Sequence, residues 1–266
     1  MAQLHPDFSF TGRLGNISAY RMKGSDKIIL RTRGGAKKDK IKRHPRFENQ
    51  RRSYTEFGGR ATATKCLRSA LFPLQQLADY NFTGKLNALT IPVQAMDTVS
   101  EFGKRNIHFS KNPKLFEGFH LNNHNTFDSI VRNPLTWEIE KDSLEAQIDF
   151  PALIPGINFF VPPGNHPVYS FIATVGIVPD LDFSISRYEP TNNAISAVTQ
   201  SEWYPAMTGS PAVTLEPNLA RLLSKHPPAP PFTFMLAVGI RFGSIGMNNV
   251  ITQVKYAGAA KILGMR

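Results

Sequence analysis

The chain has 266 residues, 41% of them hydrophobic and 19% charged, with a formal net charge of +11 at pH 7 and one cysteine. That length and apolar content suffice for one large domain or a core with an appended subdomain and exclude a chain disordered throughout, while the lone Cys66 excludes an intramolecular disulfide. The charge is uneven: residues 1–68 hold 17 Lys and Arg against 5 Asp and Glu, and the rest hold 14 against 15, so a basic segment suited to a polyanion or an acidic protein surface precedes a near-neutral body.

Met1 to Phe10 carries His5 and Asp7 where a signal peptide needs a basic start and an apolar run, so none is expected. Leu14 to Arg33 reads as a β-hairpin, with Ile17, Ala19 and Tyr20 before the turn residues Lys23-Gly24-Ser25-Asp26 and Ile28 to Leu30 after it. Arg31 to Arg46 reads as a loop dense in positive charge, whose paired Gly34 and Gly35 allow unusual backbone angles and close approach to a partner.

After Pro45 the apolar period lengthens to about 3.6. Phe47, Tyr54, Phe57, Ala61, Thr64, Leu67, Leu71, Leu74 and Ala78 predict one face of a long basic helix, weakened or kinked at Gly58-Gly59 and Pro73 into what reads as two helices end to end. Leu86, Leu89, Val93, Met96 and Val99 predict a short or kinked helix around Pro92. From Ile107 onward the texture is β: Trp137 to Glu140 and Ala146 to Phe150 alternate as half-buried strands do, whereas Val168 to Val178 and Phe232 to Phe242 read as central strands buried on both faces. Turn signals fall at Asn122-Asn123, Pro162-Pro163-Gly164, Thr191-Asn192-Asn193 and Gly246-Met247-Asn248-Asn249, the last closing a hairpin of Phe232 to Ile245 with Val250 to Leu263. His226 to Pro231 reads as a polyproline spacer, and no internal repeat is present. The longest apolar runs fall far short of the roughly 20 residues a membrane helix needs. The expected fold is α+β: a basic β-hairpin arm (1–45), a helical segment (46–105) and a mainly antiparallel β-sandwich (106–266).

Chemistry-bearing constellations are weak. His120 and His124, with His108 nearby, lie in a stretch rich in Gly and Asn and lack a supporting thiol or acidic ligand, so no metal is expected. Glu138 with Glu140, and Asp180 with Asp182, place paired carboxylates on one face of a strand, a pattern that an exposed face produces as readily as general acid/base chemistry. The Gly-rich pieces lack the Lys-Ser/Thr of a phosphate loop, Cys66 reads as a small buried thiol, and Ser69 and Ser210 have no nucleophile-elbow context. No catalytic residue, cofactor or small-molecule substrate is expected.

The opening Phe10-Thr11-Gly12-Arg13-Leu14-Gly15-Asn16-Ile17-Ser18-Ala19-Tyr20, followed by Arg31-Thr32-Arg33-Gly34-Gly35 and by Glu56-Phe57-Gly58, resembles Bacteroidota proteins that pair a short G-x-L-G-N arm and a helix with a C-terminal β-rich domain. The likeness covers roughly residues 10–75 and the β half only in texture. It implies a bacterial, non-enzymatic protein whose distinctive sequence lies in the arm, and it transfers no functional residue.

The expected function is structural self-assembly into a homo-polymeric filament, tube or shell, with Leu14, Ile17, Tyr20, Ile28, Ile29, Leu30, Gly34 and Gly35 packing on a neighbouring subunit. The alternative is a nucleic-acid-binding or coat-like protein whose phosphate contacts come from Arg31, Arg33, Lys37, Lys38, Lys40, Lys42, Arg43, Arg46, Arg51 and Arg52, without any recognisable nucleic-acid-binding motif. A third is a carbohydrate-binding or enzymatic sandwich using Trp137, Trp203 and Tyr204 as an exposed platform. The expected location is the cytoplasm, or a particle released from the cell.

Overall fold

The computed structural model describes residues 2–3, 10–21, 27–32, 34–223 and 227–266, arranged in two compact units, Met1–Arg51 and Arg52–Arg266. The fold is α+β, with antiparallel sheets throughout.

In the first unit, β1 (Ala2–Gln3), β2 (Gly12–Leu14), β3 (Ile17–Arg21) and β4 (Ile28–Thr32) form one sheet in the order β1-β4-β3-β2. The expected pairing of β3 with β4 is present, Ala19 opposite Leu30 and Tyr20 opposite Ile29, but the turn Lys23 to Asp26 lies outside the described residues. A second, unforeseen hairpin joins β2 to β3 through Gly15-Asn16, where Gly15 takes the left-handed φ of 55° that glycine adopts without steric cost. The basic stretch is also not all loop. Helix α1 (Lys38–Arg43) starts with Asp39 in its first turn and ends with Lys42 and Arg43, a charge order that suits the helix dipole, and a 3-10 turn Pro45–Phe47 follows.

Helix α2 (Glu48–Ala70) runs through Gly58-Gly59 without a break and gives way at Leu71 to a 3-10 segment, Phe72–Leu77, with Pro73 in its first turn, where a missing N–H costs nothing. Its buried face matches the expected one at Thr64 and Leu67 and departs from it nearer the N-terminus. Tyr54 and Phe57 are more than half exposed, and Ala61 is exposed, whereas Glu56, Gly59, Ala63, Cys66, Leu67 and Ala70 are buried. Small residues win this face because the neighbours come very close: a Cβ on Gly59 would lie 2.7 Å from the Tyr188 ring. Helix α3 (Thr83–Ala95) contains Pro92 and buries Leu86 and Val93, while Met96 and Val99, read as part of its apolar series, are exposed. Among the described residues, no helix is long and apolar enough to cross a membrane.

Two sheets follow the one-turn helix α4 (Phe127–Ile130). The smaller contains β5 (Thr136–Glu140) and β6 (Glu145–Phe150); the larger is centred on β7 (Val168–Pro179). β8 (Leu181–Ser184) and β9 (Arg187–Pro190) form a separate hairpin. β10 (Ser196–Gln200) and β11 (Tyr204–Pro205) pair in succession along the outer side of β7. β12 (Val213–Leu215) completes the smaller sheet in the order β12-β6-β5, followed by the one-turn helix α5 (Ala220–Leu223). β13 (Phe232–Ile245) pairs with β7 over twelve registered positions, and β14 (Ile251–Gln253) and β15 (Ala259–Met265) share its other side. The turn into β14 uses Asn248 and Asn249 at φ of 61° and 58°, as the Asn pair suggests.

β7 and β13 are buried on both faces, as their apolar runs predict, and the faces are chemically unlike. Phe171, Val175, Phe234, Leu236, Val238 and Phe242 share a core with Ile148 and Phe150 of the smaller sheet, where Phe150 stacks on Phe171 at 4.1 Å between ring centroids. The other face carries Ile172, Gly176, Met235, Ala237 and Gly239 and meets Ala70, Leu74 and Leu77. Cβ atoms at Gly176 and Gly239 would fall 2.8 Å from Ala70 and 2.6 Å from Leu77, so the helical layer sits close to the sheet. Asn122, read as turn punctuation, is instead a buried staple: its amide donates to the carbonyls of Leu77 (2.7 Å) and Gly258 (3.0 Å) and accepts from the Ala260 N–H.

Candidate assembly interface

The first unit's sheet is too small to enclose its own apolar side chains. Its strands have two to five residues, and alternation puts Leu14, Ile17, Ala19, Ile28 and Leu30 on one face and Ser18, Tyr20, Ile29 and Arg31 on the other. Ala19 and Ile28 are buried, Ile29 and Leu30 are half-buried, and Leu14, Ile17 and Tyr20 are 66%, 39% and 38% exposed. Arg31 lies over the Tyr20 ring at 5.5 Å on the second face. Gly34 and Gly35 follow in the exposed connection to α1, with Gly35 at a φ of 108°.

The candidate cations are spread over several elements. Lys37 precedes α1, on which Lys38, Lys40, Lys42 and Arg43 are all exposed. Arg46 lies over Phe47 at 5.2 Å, and Arg51 donates through Nη1 to the carbonyls of Ile41 (2.8 Å) and His44 (3.0 Å), where it ties down the end of α1. Arg52 belongs to the second unit, its side-chain stem against Gly103. Arg33 lies outside the described residues.

Other constellations resolve into structural roles. Asp180 and Asp182 do not share a strand face: Asp180 is buried and accepts the Ser110 N–H at 3.0 Å and hydroxyl at 2.5 Å, while Asp182 is exposed beside His108 at 2.8 Å. His120 faces Asp128 at 3.4 Å, its pKa lowered chiefly by burial. Burial pushes the Cys66 thiol pKa up, which makes it a poor nucleophile. Trp137, Trp203 and Tyr204 form no exposed platform. Trp137 packs against Gly264, Trp203 against Gly243 under the guanidinium of Arg241, and Tyr204 against Tyr169, all half-buried.

Sequence reading misses a buried polar network in the second unit. Glu56 accepts from Arg105 Nε and Nη2, both at 2.7 Å, and from the Gly103 N–H at 2.9 Å, with Arg60 at 3.8 Å. Arg60 donates to Gln94, Gln94 donates to Tyr188 Oη and the Arg105 carbonyl, and Tyr188 Oη donates to that same carbonyl at 2.9 Å. Burial by itself would raise the Glu56 pKa; the Arg105 hydrogen bond, the Gly103 N–H and the two guanidinium charges outweigh it and hold the carboxyl below its ordinary range. Burial, with the Glu56 charge adding to it, pushes Tyr188 up to about 12. The bidentate Arg105–Glu56 pair, extended through Arg60, Gln94 and Tyr188, ties α2, α3 and β9 together.

Comparison of the chain with protein-family models, curated proteins and solved structures returns no match.

Proposed function

We propose that the chain is a structural subunit that assembles with copies of itself through its N-terminal segment into a filament, tube or shell. The observation that carries this reading is the small four-stranded sheet with Leu14, Ile17 and Tyr20 left exposed on strands of five residues or fewer. Apolar side chains on so short a sheet gain most by burial against another surface, and added strands or side-chain packing from a neighbour supply it. In this reading the segment acts as a basic arm with its β3–β4 hairpin, and α2 and the paired sheets form the body of the subunit.

Light scattering after size-exclusion chromatography tests the reading on nuclease-treated, untagged protein. The full chain is expected to run at many times 29.6 kDa, and a chain lacking residues 1–45 is expected to lose that mass. Deletion that leaves the assembly size unchanged refutes it.

A second reading is favoured by the four exposed cations of α1: contact with nucleic acid through phosphate neutralisation. Replacing Lys38, Lys40, Lys42 and Arg43 by Gln then strips co-purifying material absorbing at 260 nm, whereas the assembly reading leaves that absorbance at background in both proteins.

A further inference from the structure

The outer face of the smaller sheet in the second unit carries the opposite charge to the arm. Alternation along β5 and β6 sends Trp137, Ile139, Ile148 and Phe150 inward and Glu138, Glu140, Glu145 and Asp149 outward. A groove of about 550 Å³ opens on this face, lined by Glu138, Glu140, Glu145 and Glu216, with Arg221 the one cation among its described lining residues. Glu138, Glu140 and Glu216 have no ion pair among the described residues; Glu145 accepts from the Asn218 amide. Glu140 also stands directly opposite Glu145 in the β5–β6 register. A like-charge pair at facing positions destabilises a sheet, so the isolated subunit carries a repulsion that a cationic partner relieves. β5 is, in addition, the border strand of its sheet.

We infer that this acidic sheet face receives the basic segment around α1 from a second copy of the chain. Resting on the assembly reading, the inference names the surface onto which the arm docks. Charge complementarity decides the occupant: residues 1–68 hold 17 Lys and Arg against 5 Asp and Glu, so all of the chain's positive excess lies there, while the remainder holds 14 against 15. The spacing fits as well. Lys38 and Lys42 stand one helical turn apart, about 6 Å along the axis, and Glu138 and Glu140 stand about 6.8 Å apart along β5. Each copy offers one arm and one face, so the contact is head-to-tail and propagates.

A charge-swap series read by light scattering tests this. The first variant carries Glu138→Lys, Glu140→Lys and Glu216→Lys, all exposed positions; the second carries Lys38→Glu, Lys40→Glu, Lys42→Glu and Arg43→Glu; the third carries both sets. The expected result is a fall to subunit mass in each single set and recovery of the large species in the double set, or in a mixture of the two single-set proteins. Recovery shows that the single sets are folded and that face meets arm. Wild-type assembly retained in the first variant, or a double set that stays at subunit mass, overturns the inference. If deletion of residues 1–45 abolishes assembly while the first variant keeps it, the docking face is wrong and the assembly reading stands. If the deletion leaves assembly intact, the reading itself fails. A wild-type chain that runs at subunit mass, with a zero-length cross-link from α1 to its own β5, places the contact within one molecule and overturns both.

Discussion

A carboxylate buried in the middle of a helix is costly unless every lone pair finds a donor, and Glu56 is 2% exposed in just that setting. Its partners hold the folded-state pKa below the ordinary value of 4.5. A group whose folded pKa is depressed contributes stability that is complete above its unfolded pKa and disappears as the pH falls through the folded value. The same holds for Asp97, whose carboxylate would be raised by burial but accepts the N–H groups of Val99, Ser100 and Asn106 and ends well below its ordinary 3.8. The expected consequence is a melting temperature that is flat from pH 7 to about pH 5 and drops as acid protonates these two groups. Glu56→Gln is expected to lose about 3 kcal/mol in denaturant titrations at pH 7, as removal of one partner of a buried pair does, and to show a shallower acid slope than the parent. An unchanged acid slope assigns the acid sensitivity elsewhere.

Among the elements, the contact between α2 and the large sheet depends on missing side chains. At Gly176 an added Cβ meets the Cβ of Ala70 at 2.8 Å, its Cα at 3.1 Å and the carbonyl oxygen of Ile195 at 3.1 Å, and backbone does not swing aside as a side-chain tip does. Gly176→Val is expected to cost about 1–3 kcal/mol by overpacking, measured as a lower denaturation midpoint at unchanged slope; at Gly58, where nothing lies within 4 Å, alanine is expected to be neutral or mildly stabilising. The contrast explains what the sequence discloses. β5, β6, β7 and β13 are legible because their alternation or continuous apolarity records which faces are covered. The buried stripe of α2 is legible at Thr64 and Leu67 but not at Glu56, Gly59, Ala63 and Cys66, because close neighbours such as the Tyr188 ring favour small residues there, while a hydrophobic period assigns Tyr54 and Phe57 inward. α1 escapes notice for a related reason: with no buried residue it has no apolar period. The Glu56–Arg105 pair spans 49 positions, a separation at which neither residue announces the other.

For the whole molecule, the proposed docking of a basic segment on an acidic face would make assembly sensitive to salt in a way that apolar packing alone does not. The screening length falls from about 10 Å at 0.1 M salt to about 3 Å at 1 M. Apolar contacts, by contrast, are not weakened by added sodium chloride. The mean mass is therefore expected to fall as NaCl rises to 1 M, and the combined Leu14→Ser and Ile17→Ser substitutions are expected to lower it at every salt concentration, both followed by sedimentation velocity. A salt-independent mass in the full chain argues that the apolar arm residues act alone.

The borders of the large sheet are each made by two short strands laid end to end, β10 then β11 beside β7, and β15 then β14 beside β13. At Ser201, between β10 and β11, a side-chain oxygen instead of a backbone carbonyl accepts the Phe171 N–H. A broken border offers a passing strand no continuous rail of donors and acceptors, so the part of the chain richest in β structure is a poor seed for cross-β stacking. In the proposed assembly, contact through the N-terminal segment would then join finished bodies without extending the large sheet from one copy to the next.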